Sequence, residues 1–207
     1  MRNTRKAALA ALGATALPLL TATPASADPP PRVTVKVVSL WGCGGTNSAV
    51  ATVTPPSPDG FGVSVYTAAF KASAGKDVPA EEARITCNLT LIINLPLEYT
   101  WVLKSTKLRG TADLAPEATG EVATRNWIQG KDPGREISRT IKAPTQSWRL
   151  EDQTPLENPC GEARFFTIST RLQVTAADTV RASSISMNEP PDGRADFTFG
   201  YKSCKPS

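Results

Sequence analysis

Two pairs of acidic residues are the side chains of this 207-residue sequence that are best suited to chemistry. They are Glu151 with Asp152, and Asp192 with Asp196. Glycoside hydrolysis needs two carboxyl groups about 5 to 10 Å apart, so either pair could serve a carbohydrate-active enzyme. Asp152 precedes a polar loop and Asp192 precedes a glycine, and aspartate is favoured in turns because its side chain binds nearby backbone N–H groups. We prefer the turn interpretation and predict no catalytic residue.

Histidine is absent from the whole sequence. This excludes nucleophile systems that use imidazole as the base, together with the usual histidine-bearing zinc and iron sites. Asp59, Asp132 and Asp192 are loop acids, but no dense calcium-binding loop motif surrounds them. We therefore predict neither a metal site nor a cofactor.

Four tryptophans could form a sugar-stacking platform if their rings were exposed. Burial is the preferred interpretation for the set, because large rings contribute much of the buried area of a core. Trp101 alternates with apolar neighbours and is predicted in the core, and Trp41 is predicted to pack on the disulfide of Cys43. Trp127 is less determined. Trp148, between Ser147 and Arg149, is the best candidate for an exposed ring.

Arg109 and the glycine that follows it form a candidate anion site. The plainer interpretation is that Arg109 ends a strand and Gly110 makes a bulge or turn. The candidate ligand-binding residues are therefore Trp127, Trp148, Arg109, Asp152 and Asp192.

The four cysteines predict two disulfides, since none lies in a C-x-x-C pair. Three connectivities are open to the sequence. We prefer Cys43 with Cys87 and Cys160 with Cys204, because each pair then closes a loop within its own half of the chain.

The elements that must position these residues are strands. Arg84 to Leu95 alternates apolar and polar side chains, Pro96 ends it, and the next strand, from Tyr99, could pair with it as a hairpin. Asn88 begins a glycosylation sequon on the polar face of that strand. Other predicted strands surround Val33–Val37, Ala49–Val53, Phe61–Val65, Glu121–Ile128, Gln146–Leu150, Arg164–Thr175, Val180–Met187 and Asp196–Ser203.

About ten short strands separated by turn signals predict an all-β protein, an antiparallel β-sandwich of jelly-roll type. A closed barrel is the alternative. No internal repeat or interdomain linker is evident, so residues 37–207 are predicted to form a single domain, preceded by a Pro-rich leader and the start of the first strand over 28–36.

The N-terminus has the features of a cleaved signal peptide over residues 1–27. Arg2, Arg5 and Lys6 precede an uncharged apolar run, and Ala25-Ser26-Ala27 supplies the small-x-small cleavage pattern. Residues 28–207 then carry 20 basic and 19 acidic groups, so the high isoelectric point is no sign of nucleic-acid binding. We predict a secreted, extracellular monomer without membrane insertion after cleavage.

Several short blocks together resemble the domain of unknown function 4360 family of small secreted proteins from bacteria and fungi. The resemblance implies a secreted β-sandwich with intramolecular disulfides and no known activity. Leu108 and Thr111 stand where the family has aromatic flanks, and Met187-Asn188 stands where it has Met-Asp. The blocks are Trp41-Gly42-Cys43-Gly44, Ile85-Thr86-Cys87-Asn88-Leu89, Tyr99-Thr100-Trp101, Leu108-Arg109-Gly110, Ile128-Gln129-Gly130, Pro159-Cys160-Gly161 and Tyr201-Lys202-Ser203-Cys204.

Three functions are compatible with these observations. The preferred one is a non-catalytic extracellular module that binds a surface polysaccharide or a protein partner, and an exposed aromatic cluster on one face would support it. A secreted inhibitor or effector that presents a loop held by Cys160–Cys204 is the first alternative. A carboxylate-dependent carbohydrate-active enzyme is the second, and it requires two acids that face one cleft.

Overall fold

The computed structural model describes residues 30–43, 49–67, 69–144, 146–177, 181–187 and 193–204. The predicted signal segment, residues 1–27, lies outside them, as does Asp192. The strands are β1 (Thr34–Trp41), β2 (Ala49–Val53), β3 (Phe61–Thr67), β4 (Lys71–Ala74), β5 (Arg84–Asn94), β6 (Tyr99–Asp113), β7 (Thr119–Ile128), β8 (Ile137–Lys142), β9 (Ser147–Asp152), β10 (Leu156–Glu157), β11 (Phe165–Thr175), β12 (Ser183–Ser186) and β13 (Arg194–Ser203). A short 3-10 helix, Ala80–Ala83, precedes β5.

The strands form two antiparallel sheets, which confirms the predicted sandwich and not the barrel. One sheet has five strands in the order β1-β5-β11-β7-β8. The other has eight strands, with β2-β3-β13-β6-β12-β4 as its path and β9 and β10 on the free side of β6. In the described residues no helix has the length and apolar character needed to cross a membrane.

The predicted β5–β6 hairpin is wrong, because these consecutive strands lie in different sheets. β5 pairs with β1 and β11, whereas β6 pairs with β9, β10, β12 and β13. Proline at position 96 cannot donate a ladder hydrogen bond, and the segment around it carries the chain across to the other sheet. The period-two pattern identified both strands correctly but contained no information about their partners.

Three of the strands were not predicted, namely β4, β8 and β10. β8 is an edge strand whose six side chains include only one buried residue, Ile141. Such an edge carries polar residues in place of an alternating apolar face, so its sequence looks like a loop. β4 and β10 are too short, at four and two residues, for alternation to be detected.

The core lies between the sheets and is centred on aromatic rings. Trp101 of β6 meets Phe166 of β11 edge to face, with ring centroids 5.6 Å apart, and Phe166 also meets Phe197 and Phe199 of β13. Each of these rings is at most 1% exposed. Edge-to-face pairs contribute about 0.5–1.5 kcal/mol beyond their buried area. The predicted core position of Trp101 is confirmed.

The disulfides are Cys43–Cys87 and Cys160–Cys204, as predicted. Cys43 and Cys87 are buried and join the end of β1 to β5. Cys160 is exposed and ties the loop after β10 to the end of β13. One disulfide therefore belongs to the core and the other fastens the surface.

Candidate functional site

The outer face of the five-stranded sheet carries two tryptophans. A row across the sheet runs from Trp41 on β1 through Asn88 and Ser169 to Arg125 on β7. Residues two apart in a strand share a face, so Trp127 lies on the same face as Arg125, in the neighbouring row. The fold thus places Trp41 and Trp127 on one surface, which we call the tryptophan face.

Both rings have access to solvent. Trp41 is 61% exposed and Trp127 is half-buried. They stand on strands three steps apart in the sheet, which separates them by about 14 Å at the usual strand spacing of about 4.8 Å. A large exposed apolar side chain is informative when it is one of a group on a polar surface, because such patches mark interaction sites.

Uncharged polar side chains fill the space between the two rings. The row of Trp127 continues through Thr167 and Thr90 to Ser39 on β1. The hydroxyls of Thr90 and Thr167 are 3.5 Å apart and hydrogen-bond each other. Asn88 lies on this face as predicted, although it is only 8% exposed. Hydroxyl and amide groups both donate and accept hydrogen bonds, as ligand hydroxyls require.

Charged groups on this face neutralise each other at one end. Arg171 Nη2 lies 2.7 Å from Glu121 Oε1 and 3.1 Å from Glu136 Oε1. The hydrogen bond to Glu121 and the charge of Glu136 raise the pKa of Arg171 against the opposing effect of its burial. The guanidinium is therefore held by two acids of its own sheet and adds no free charge beside the tryptophans.

Trp41 was overlooked as a surface residue because a bulge interrupts β1. Val35 and Val37 pair with Ile93 and Leu91 on the inner face, and the register then shifts before Ser39. The inserted residue reverses the alternation, so Trp41 faces outward although its parity matches the inner valines. The expected packing of Trp41 on the Cys43 disulfide is wrong. Only the break in alternation at Val38-Ser39 could have signalled the change.

Trp148 is buried, at 3% exposure, so the prediction of an exposed ring is wrong. Its polar neighbours, Ser147 and Arg149, occupy the outer face of β9, and alternation turns Trp148 inward. There it packs over Gly110, which is a mid-strand residue of β6. The expectation that Arg109 ends a strand is wrong too, since β6 continues to Asp113.

The predicted residues Arg109 and Trp148 lie together in a groove of about 310 Å³. The groove follows the seam where β8, the edge of the five-stranded sheet, meets β9 of the other sheet. Its lining is completed by Gly110, Arg139, Ser147 and Arg149. We call this feature the arginine groove.

The acid pair Glu151 and Asp152 does not converge. Glu151 faces outward and binds Lys107 and Arg149, at 3.2 and 3.0 Å. Asp152 lines a separate cavity of about 360 Å³, and its Oδ1 accepts hydrogen bonds from the backbone N–H and hydroxyl of Thr154. Asp152 is thus a turn residue, as the preferred interpretation held.

Asp196 binds cations of its own sheet. Its carboxylate lies 2.5 Å from Arg109 Nη2 and 2.9 Å from Arg194 Nε, and it accepts a hydrogen bond of 2.7 Å from the Ser64 hydroxyl. Burial raises the pKa of Asp196, but the hydrogen bonds from Ser64 and Arg109 and the charge of Arg194 outweigh it and hold the pKa below its usual range. A general acid needs the opposite shift. Among the described residues, no group of three metal-ligating side chains occurs.

Comparison with known proteins gives a family and one distant structure. A family model described as a domain of unknown function (DUF4360) matches residues 31–204. The solved family 11 carbohydrate-binding module of Clostridium thermocellum, in complex with a beta-1,3-1,4-mixed-linked tetrasaccharide, aligns at 13% identity over 83% of this chain and 82% of that one. Its TM-score of 0.15 is too low for the likeness to carry an argument. No curated protein matches the chain.

Proposed function

Because this chain belongs to the family of the domain of unknown function DUF4360, whose description assigns no activity, we propose a function from the surface itself. The protein is a non-catalytic module that binds an uncharged polysaccharide on the tryptophan face. The observation that carries the proposal is the placement of Trp41 and Trp127 on one outer sheet face with hydroxyl and amide groups between them.

The chemistry of this face suits a sugar chain. The C–H faces of a sugar ring are apolar and stack on indole, whose ring combines a large apolar area with a rigid shape. Sugar hydroxyls exchange hydrogen bonds with groups such as Thr90, Thr167 and Ser169. The rings stand far enough apart to hold two different sugars of one chain, so the polymer would cross the strands from β1 towards β7.

The compartment belongs to the same proposal. A signal peptide over residues 1–27 directs export, a Pro-rich leader and the start of β1 occupy 28–36, and a monomeric domain over 37–207 acts outside the cell. Two disulfides support this placement, since disulfides persist in oxidising environments and are rare in the cytosol. A protein partner on the same face is the competing form of the proposal.

Co-sedimentation tests the proposal. Oxidised protein spanning residues 28–207 is mixed with cellulose, chitin, peptidoglycan and cells of the source organism, and the bound fraction is measured against protein concentration. We expect saturable binding to one polymer. Trp41→Ala should weaken it by at least tenfold and Trp127→Ala should weaken it as well, because each removes one stacking surface.

Val50→Ala is the matched control, since Val50 is also 61% exposed but lies on β2 of the other sheet. It should bind like the wild type. Equal binding by the wild type and Trp41→Ala would refute the role of the tryptophan face. Saturable binding to cells that protease treatment abolishes, without binding to any isolated polymer, would replace the polysaccharide by a protein partner.

A further inference from the structure

The arginine groove is separate from the tryptophan face and has a different chemistry. Three guanidinium groups line it, those of Arg109, Arg139 and Arg149, and of the described residues none that lines it is acidic. Arg109 and Arg149 come from neighbouring positions on β6 and β9, where they are direct cross-strand partners. Like charges placed directly opposite each other are destabilising, so this pairing requires compensation.

Part of the compensation is present at the rim of the groove. Arg109 binds Asp196 and Arg149 binds Glu151, while Lys107 and Arg194 share the same two acids. With Arg139, five cations thus stand against two carboxylates around the groove. Among the described residues Arg139 forms no ion pair, and its Nη1 donates to the backbone carbonyl of Arg149. The groove therefore keeps an excess of positive charge on a chain that is otherwise nearly balanced.

Two further features make the groove more than a charged surface. The Nε atom of Arg109 is buried and has no hydrogen-bond partner among the described residues, which leaves a donor unsatisfied. Trp148 forms an apolar wall, fixed by its packing on Gly110 and by a 2.9 Å hydrogen bond from its Nε1 to the Thr111 carbonyl. A rigid wall beside several forked donors is an arrangement that favours bidentate recognition of an oxyanion.

We infer that the arginine groove binds an oxyanionic group, a phosphate or carboxylate, between Arg139 and Arg149. The inference does not depend on the proposed polysaccharide, because none of its residues lies on the tryptophan face. Arg139 and Arg149 are exposed and can adjust to the ligand, whereas Arg109 is held by Asp196 and forms the inner wall. The oxyanion can be a free small ion or a substituent of an acidic polymer.

Titration with sodium phosphate at constant ionic strength tests the inference on protein spanning residues 28–207. Backbone amide signals of residues 109–111 and 147–149 are followed by two-dimensional NMR. We expect saturable shifts confined to these segments, and at least tenfold weaker binding for both Arg139→Gln and Arg149→Gln. Both side chains are exposed, so the variants keep the fold. A parallel titration with polygalacturonate measures binding of a polymeric carboxylate.

Arg84→Gln is the charge-matched control, because it removes one exposed arginine of the other sheet. Its affinity should equal that of the wild type. Binding of phosphate alone identifies a free ion as the ligand, and binding of polygalacturonate identifies an acidic polymer; either result supports the groove. Absence of saturable shifts with both probes, or equal weakening by Arg84→Gln and Arg139→Gln, would overturn it.

Discussion

Trp148 lies directly over the α-carbon of Gly110 on the neighbouring strand. A Cβ added at position 110 would stand 2.4 Å from Trp148 Cζ2 and 2.0 Å from the backbone oxygen of Ser186. The missing side chain is therefore what allows the indole to lie flat against β6 while β12 stays paired on the other side. This contact fixes the wall of the arginine groove as well as the seam between the sheets.

Gly110→Ala should destabilise the fold by about 1–3 kcal/mol, the usual cost of overpacking a core. Either the indole or the β6–β12 ladder must move to accept the methyl group. Urea unfolding monitored by tryptophan fluorescence measures the change. Gly120→Ala is the control: Gly120 is a buried strand glycine as well, but its added Cβ would meet Ile185 at 3.4 Å, an ordinary contact. Equal stability of the two variants would contradict the packing account.

The two disulfides should differ in the stability they contribute although both close a sequence separation of 44 residues. The loop-entropy model assigns each about 4 kcal/mol as an upper estimate. Replacing Cys43 and Cys87 by alanine also leaves a cavity in the core, whereas replacing Cys160 by alanine empties an exposed position. The first double variant should therefore lose about 1–2 kcal/mol more than the second, as a lost sulfur contact in a core implies. Urea midpoints measured side by side would reveal this difference, and equal losses would argue against it.

Asp196 should make stability depend on pH in the acidic range. Its pKa is lower in the folded protein than its usual value of 3.8, so the unfolded chain binds the proton more readily. The contribution is fully present above the unfolded pKa and is lost as pH falls through the folded one. Asp196→Asn should cost about 1–3 kcal/mol at pH 7, the range for hydrogen bonds to charged groups, and should flatten the profile below about pH 4.

Asp113→Asn is the control for this prediction. Asp113 also binds an arginine, at 2.8 Å to Arg181, and the hydrogen bond from Arg181 lowers its pKa. Both partners are more than half exposed, so the pair should contribute less than about 1 kcal/mol. Thermal unfolding from pH 2 to pH 7 compares the two variants. An unchanged acid profile in Asp196→Asn would show that other carboxylates set the acid limit.

The fold class was predictable because alternation is a local property of each strand. Ile85 to Ile93 and Phe166 to Val174 show their inner faces directly in the sequence, and both disulfides followed from separations along the chain. Strand partners were not predictable in the same way. Pro96 marks the end of a strand equally well for a hairpin and for a crossover to the other sheet, and only the packing of the whole sandwich decides between them.

The candidate sites were harder to predict because each depends on a break in alternation or on long-range pairing. The bulge in β1 turns Trp41 outward, which no counting of parity would show. Arg139 was assigned to a loop, yet it reaches the arginine groove from edge strand β8. Arg109 and Trp148 were selected correctly as a pair of interest, but their proximity arises from the pairing of β6 with β9.

Asn158 should be intolerant of an isosteric acid. The residue is 3% exposed, and its Nδ2 donates to the Thr100 hydroxyl at 3.2 Å and to the carbonyls of Pro159 and Glu162 at 3.0 and 2.7 Å. Asn158→Asp places a second oxygen against these acceptors and buries an unpaired charge, at a cost of about 3–5 kcal/mol at pH 7. Asn158→Ala leaves only the carbonyls unsatisfied, at about 1–3 kcal/mol.

The two variants should also respond differently to pH. Burial and the facing oxygens raise the pKa of an aspartate at position 158 in the folded protein, so the folded state holds the proton more tightly than the unfolded one. The penalty is then full above the raised pKa and shrinks as pH falls towards the unfolded value, because a protonated acid can donate to one carbonyl again. Unfolding of Asn158→Asp should require more urea at pH 5 than at pH 7, whereas Asn158→Ala should show the profile of the wild type. Parallel profiles for both variants would mean that the loop before Cys160 has rearranged to expose the new carboxylate, and that the hydrogen bonds of Asn158 do not hold it.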